Sequence, residues 1–166
     1  MKISIIGTGM IATEVIKMLR NEAKGIEITS IFSHSNKQKA LTLANENDID
    51  HVYTDYAQLL KEDDADFVYI ALVNNAHYTY VRQALEAQRN VIVEKPFTST
   101  LEEAKLLVQM ARERGLYLFE AVTPLHTPNF QLVKQSLKRI APIHFAQCNF
   151  SQYSSRYKRY LQGDIA

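Results

Sequence analysis

Residues 7–12, Gly7-Thr8-Gly9-Met10-Ile11-Ala12, form a GxGxxA run. At this spacing the first glycine permits a tight turn, and the second lets backbone approach a pyrophosphate. The small Ala12 lets a helix pack closely on a strand. A helix starting here turns its free N–H groups and partial positive charge towards phosphates. An ordinary glycine turn uses the same residues, and the flanks decide between the two. A short apolar run, 2–6, precedes the motif, and Ile11, Val15 and Leu19 recur every four residues after it. Strand, glycine loop and helix in that order mark a dinucleotide site, with Gly7, Thr8, Gly9, Met10, Ile11 and Ala12 as cofactor-binding candidates.

Three further clusters could do chemistry. A dinucleotide fold ordinarily carries an acid after its second strand to hold the adenosine ribose of NAD. Residues 28–45 contain no Asp or Glu, and the strand runs into Ser33-His34-Ser35-Asn36-Lys37. Ser33, His34 and Lys37 suit a 2′-phosphate better than a bare hydroxyl, which tilts the cofactor from NAD towards NADP. After the fourth strand come Leu72, Asn74 and His77, where the histidine is either a cofactor contact or a structural hydrogen-bonding group. His126 stands in the same position after the sixth strand. After the fifth strand comes Glu94-Lys95-Pro96. A lysine at that edge can donate or accept a proton at a substrate oxygen, and Glu94 can orient it or contact the sugar of the cofactor. Taken alone, these three residues read better as a surface ion pair beside a turn proline. The histidines and Cys148 show no metal-ligand spacing.

The elements that must position these clusters alternate. Strands are expected at 2–6, 27–32, around 52, and at 66–72, 90–93 and 116–119. Helices are expected after Gly9 and at 36–46, 56–60, 76–88 and 100–114, the last entered through Ser99 or Thr100 and closed by Gly115. Such alternation means right-handed crossovers and a Rossmann-type, doubly wound parallel sheet of the α/β class. Ligands sit beyond the carboxyl ends of its strands, where all the clusters fall. The pattern changes after residue 120. Phe130, Val133, Leu137 and Ile140 make one helical stripe, and 143–153 is β-rich with no later strand to pair with. A long unpaired edge is hazardous, so its partner strand is expected outside this sequence. The division expected is a Rossmann domain over 1–121, then 122–166 as the first helix and strand of a truncated α+β domain. The Tyr/Arg/Lys-rich stretch 153–160 reads as a polar loop rather than a nucleic-acid contact.

Composition narrows the class. Of 166 residues, 46% are hydrophobic and 22% charged, enough to build a core. A net charge of +1 supplies no basic field for nucleic acid. One cysteine cannot form an internal disulfide, which points to a cytoplasmic location. No apolar run approaches the ~18 residues of a membrane helix, and the first strand does not read as a signal peptide.

Together these motifs resemble the glucose-fructose oxidoreductase/inositol dehydrogenase family, Gfo/Idh/MocA. Residues 2–12 are similar to its opening strand and loop. Residues 71–77 resemble its Pro-Asn-x-x-His-type loop, with Val73 where proline is usual. Val91-Ile92-Val93-Glu94-Lys95-Pro96-Phe97 is similar to its signature Glu-Lys-Pro segment. Residues 120–128 resemble its Glu-Ala-x-x-x-Arg-Phe-x-Pro crossover, with Leu125 and His126 in place of Arg-Phe. The resemblance implies an NAD(P)-dependent oxidoreductase transferring hydride between a nicotinamide and a sugar, cyclitol or related alcohol or carbonyl. It also implies a catalytic Lys95, a cis Lys95–Pro96 bond and a homo-oligomer when full length. The family's second domain supplies a further catalytic histidine and often an aspartate, which this sequence lacks. A non-catalytic NAD(P) sensor or partner-docking module is the alternative.

Overall fold

A computed structural model describes residues 1–140, 142–154 and 157–163, without the side chains of Lys138 and Arg159. Contacts divide the chain into two units, Met1–Ala121 and Val122–Ala166.

The first unit is a six-stranded parallel sheet: β1 (Lys2–Ile6), β2 (Glu27–Phe32), β3 (His51–Tyr53), β4 (Phe67–Ile70), β5 (Asn90–Val93) and β6 (Leu118–Glu120). Their spatial order is β3-β2-β1-β4-β5-β6, the doubly wound order, which reverses between β1 and β4. The helices are α1 (Met10–Glu22), α2 (Lys37–Glu46), α3 (Tyr56–Glu62), α4 (His77–Glu86) and α5 (Leu101–Arg114).

The central strands are buried on both faces and are mostly apolar, with Ser4, Thr29 and Ser30 as buried polar exceptions. Ile3, Ile5, Ile28 and Ile31 meet Ala12, Ile16 and Leu19 of α1 and Ala40 and Leu43 of α2. Ile6, Phe32, Val68, Ile70, Val91 and Val93 meet α3, α4 and α5 through Leu59, Leu60, Val81, Leu85 and Leu107. The α1 stripe is rotated by about one residue from the expected one. Ala12, Ile16 and Leu19 are buried, whereas Ile11 and Val15 are half-buried. Ala12 does what the motif asks of a small residue, since it is fully buried under the helix.

The expected ends of α5 hold. Thr100 and Glu103 form a reciprocal capping box, and Gly115 closes the helix with a left-handed φ of 66°.

In the second unit, α6 (Pro128–Ile140) forms as expected and carries the stripe Phe130, Val133, Leu137 and Ile140, all exposed. The expected strand at 143–153 does not form. A strand needs a neighbour for its N–H and C=O groups, and no segment described here offers one. The stretch 153–160 is not simply a loop either, because Tyr157–Leu161 makes a short helix, α7. Ser155 and Arg156 of that stretch lie outside the described residues. No helix among the described residues is long and apolar enough to cross a membrane.

Candidate active site

The ends of the strands are stitched together by one row of backbone bonds. Ser33 N–H donates to Tyr53 O (3.0 Å), Gly7 N–H to Phe32 O (2.9 Å) and Ala71 N–H to Ile6 O (2.9 Å). Glu94 N–H donates to Ile70 O (2.9 Å) and Ala121 N–H to Val93 O (2.8 Å). Each donor is the first residue after its strand. The sequence clusters therefore stand side by side along the carboxyl edge, in the order Ser33, Gly7, Ala71, Glu94. From Ser33 to Glu94 is three strand spacings, about 14 Å at about 4.8 Å each. A dinucleotide binds along such an edge, across the switch point.

Gly7 sits where the strand order reverses. Its φ is 124°, and a Cβ there would stand 2.4 Å from the Ala71 carbonyl oxygen. Only glycine fits. Gly9 is different, because a Cβ added to it meets nothing within 4 Å. It caps α1, which has no side-chain cap and no acid in its first turn. By contrast, Asn36, Asp55 and Thr100 cap α2, α3 and α5 with their side chains. An uncapped helix N-terminus with open space before it suits a phosphate. Thr8 and Ile11 are half-buried beside it, and Met10 is exposed.

In the second loop, Ser33 is buried and its Oγ accepts from the Asn36 N–H at 3.2 Å. His34 and Lys37 are exposed. The loop therefore offers an imidazole and an ammonium, while the serine oxygen braces the turn.

In the fourth loop, Leu72 is half-buried and Asn74 exposed. His77 is fully buried. Its Nδ1 lies 2.8 Å from the Pro96 carbonyl oxygen and its Nε2 3.2 Å from that of Leu72. Of the two roles open to His77 in the sequence, this geometry supports the structural one. The ring joins two loops and has no free face for a ligand.

Lys95 is exposed, and its bond to Pro96 is cis. Glu94 accepts the Tyr69 hydroxyl at 2.7 Å and, through its other oxygen, the Lys95 N–H at 3.3 Å. Burial, and then the Glu94 carboxylate it faces, hold the Tyr69 phenol far above the usual tyrosine range, so it remains a donor. Glu120 accepts the Phe97 N–H at 2.9 Å. Sequence reasoning missed Tyr69 and the role of Glu120. A tyrosine in the otherwise apolar run 66–72 was the available signal, because a buried phenol must find a partner. Among the described residues no group of three or more His, Cys, Asp or Glu could hold a metal.

A switch-point glycine, an open helix N-terminus and a lysine loop on the same edge define a dinucleotide-binding Rossmann domain. Comparison with known proteins agrees. Residues 1–122 match GFO_IDH_MocA, described as "Oxidoreductase family, NAD-binding Rossmann fold", and the chain belongs to that family. It is 34% identical over 163 residues to the uncharacterized oxidoreductase YgjR of Escherichia coli K12, covering 98% of this chain and 49% of that protein. It is 27% identical over 164 residues to scyllo-inositol 2-dehydrogenase (NADP(+)) IolU of Bacillus subtilis 168, covering 99% of this chain and 49% of that protein. Among solved structures, a 3-ketoreductase from Actinomadura kijaniata in complex with TDP-benzene and NADP superposes with a TM-score of 0.76. That match is 32% identical and covers 84% of this chain and 43% of the reductase. The chain thus spans about half the length of the curated relatives it matches.

Proposed function

We propose that this chain is the cofactor-binding half of an oxidoreductase that interconverts an alcohol and a carbonyl on a sugar, cyclitol or related polyol, with NADP favoured over NAD. The row of backbone bonds that lines up the Ser33, Gly7, Ala71 and Glu94 loops carries this reading. Named relatives point to the same class: one is a scyllo-inositol 2-dehydrogenase (NADP(+)), another a 3-ketoreductase solved with TDP-benzene and NADP.

The Gly7–Ala12 turn and the start of α1 receive the pyrophosphate. His34 and Lys37 flank the adenosine ribose, where a 2′-phosphate finds positive charge and no carboxylate. Leu72 and Asn74 border the middle of the crevice, and Glu94 and Lys95 its nicotinamide end. When bound, the nicotinamide supplies or takes up the hydride. The Lys95 ammonium holds the substrate oxygen by a charge-assisted hydrogen bond as alkoxide character develops there, and hands over its proton when a carbonyl is reduced.

Calorimetric titration with NADPH and NADH tests the reading, with NADPH expected to bind more tightly. Lys95→Ala should leave the cofactor Kd within a factor of about two, while turnover in the full-length protein falls by a factor on the order of 10²–10⁴, the range for a lost acid–base group. If neither cofactor binds, the proposal is wrong. If Lys95→Ala abolishes binding, the lysine's role is misassigned.

A further inference from the structure

The turn 94–97 is held from three directions, and one charged group is left over. From β4, the Tyr69 hydroxyl donates to Glu94 at 2.7 Å. From the start of α4, the buried His77 ring reaches the Pro96 carbonyl oxygen at 2.8 Å. From the end of β6, the Glu120 carboxylate accepts the Phe97 N–H at 2.9 Å. Residues on both sides of Lys95 are thus fixed by groups from other elements, and Glu94 also accepts the Lys95 N–H. Among the described residues nothing pairs with the Lys95 ammonium itself.

This pattern differs from that of a surface lysine. An ordinary exposed lysine rides on a backbone anchored only by its own element. Here three side chains, far apart in sequence, converge on four consecutive residues, while the two Glu94 oxygens accept from a phenol and a backbone N–H. Two of the three act on the backbone of the turn, so they set where Lys95 starts and not merely what it touches. Supporting groups of this kind hold a reacting side chain close to its productive geometry.

We propose that Tyr69, His77 and Glu120 are positioning residues that aim Lys95 along the sheet edge at the nicotinamide end of the crevice. This rests on the reading of Lys95 given above. The consequence is that each acts mainly on how Lys95 meets a bound cofactor and little on how tightly the cofactor binds, since none of them belongs to the Gly7–Ala12 turn that receives the pyrophosphate.

Trace acetylation of the whole chain, with and without saturating NADPH and read by mass spectrometry at Lys95, tests this. In the unaltered protein, bound NADPH should slow Lys95 acetylation by about fivefold or more, the factor equivalent to one hydrogen bond. Tyr69→Phe, which removes one oxygen atom, and Glu120→Ala should each lower that protection to less than about half, with the NADPH Kd unchanged. Glu120→Gln keeps an accepting oxygen for Phe97 N–H and should restore full protection. A merely structural role would change the melting temperature or the Kd but not the protection ratio. Should Glu120→Ala fail to fold, Tyr69→Phe carries the test. Protection equal to wild type in Tyr69→Phe and Glu120→Ala at unchanged Kd would overturn the proposal. NADPH that binds to the unaltered protein without slowing acetylation of Lys95 would instead overturn the function proposed for Lys95, and this inference with it.

Discussion

Two glycines two positions apart in the same motif face opposite constraints. At Gly7 a methyl group would stand 2.4 Å from the Ala71 carbonyl oxygen, on a backbone with φ of 124°. Neither the strand end nor the carbonyl can give way, because Ala71 is fixed to Ile6 by the bond that joins β1 to the β4 edge. Gly7→Ala should therefore cost several kcal/mol and lower the denaturation midpoint sharply, as strain combined with a steric clash does. At Gly9 the backbone is ordinary and the space open. Gly9→Ala should leave the midpoint almost unchanged yet weaken NADPH binding by about tenfold or more, because the methyl group enters the space where a phosphate meets α1. Parallel measurements of stability and affinity on the two variants separate a fold glycine from a ligand glycine.

Among the elements, α5 shows the clearest local determination. Thr100 and Glu103 satisfy each other's backbone donors at the start, and Gly115 takes the left-handed conformation at the end. Thr100→Ala should destabilise the domain by about 1 kcal/mol through the lost cap. Gly115→Ala should cost about 1 kcal/mol through the left-handed φ, both read from urea unfolding. Residues 143–153 show the opposite case. Their β-rich composition is plain, yet composition cannot make a strand where no neighbour takes up its backbone groups. The same limit applies to the α6 stripe, whose spacing is helical and whose apolar residues remain exposed.

At the scale of the molecule, every buried apolar residue among those described lies in Met1–Ala121. A protein ending at Ala121 should therefore unfold cooperatively, with a melting temperature within a few degrees of the whole chain; a broad, non-cooperative transition would contradict this. Its response to alkali follows from buried phenols. Burial, and next the neighbouring Tyr80, raise Tyr56; burial, and next Glu94, raise Tyr69. A phenol whose pKa is higher in the folded state contributes stability that is fully present below its unfolded value, about 10. That contribution is lost as pH rises towards the folded value. Stability should fall steeply above about pH 10, and Tyr69→Phe should flatten part of that fall while leaving the neutral range unaffected except for the lost hydroxyl bond. Chemical denaturation at stepped pH measures both.

The sequence by itself determined the alternation of elements, the doubly wound class, the glycine turn, the ends of α5 and the placing of Glu94-Lys95-Pro96 at the ligand edge. These rest on periodicity, capping and turn chemistry, which act over a few residues. It left open whether His77 touches a ligand, and it carried no sign that Tyr69, Glu120 and His77 converge on one turn. Those contacts join residues 19 to 25 positions apart, and only the register of β4, β5 and β6 brings them together. Strand formation at 143–153 was likewise a tertiary question, since pairing depends on a neighbouring strand and not on the residues of the segment.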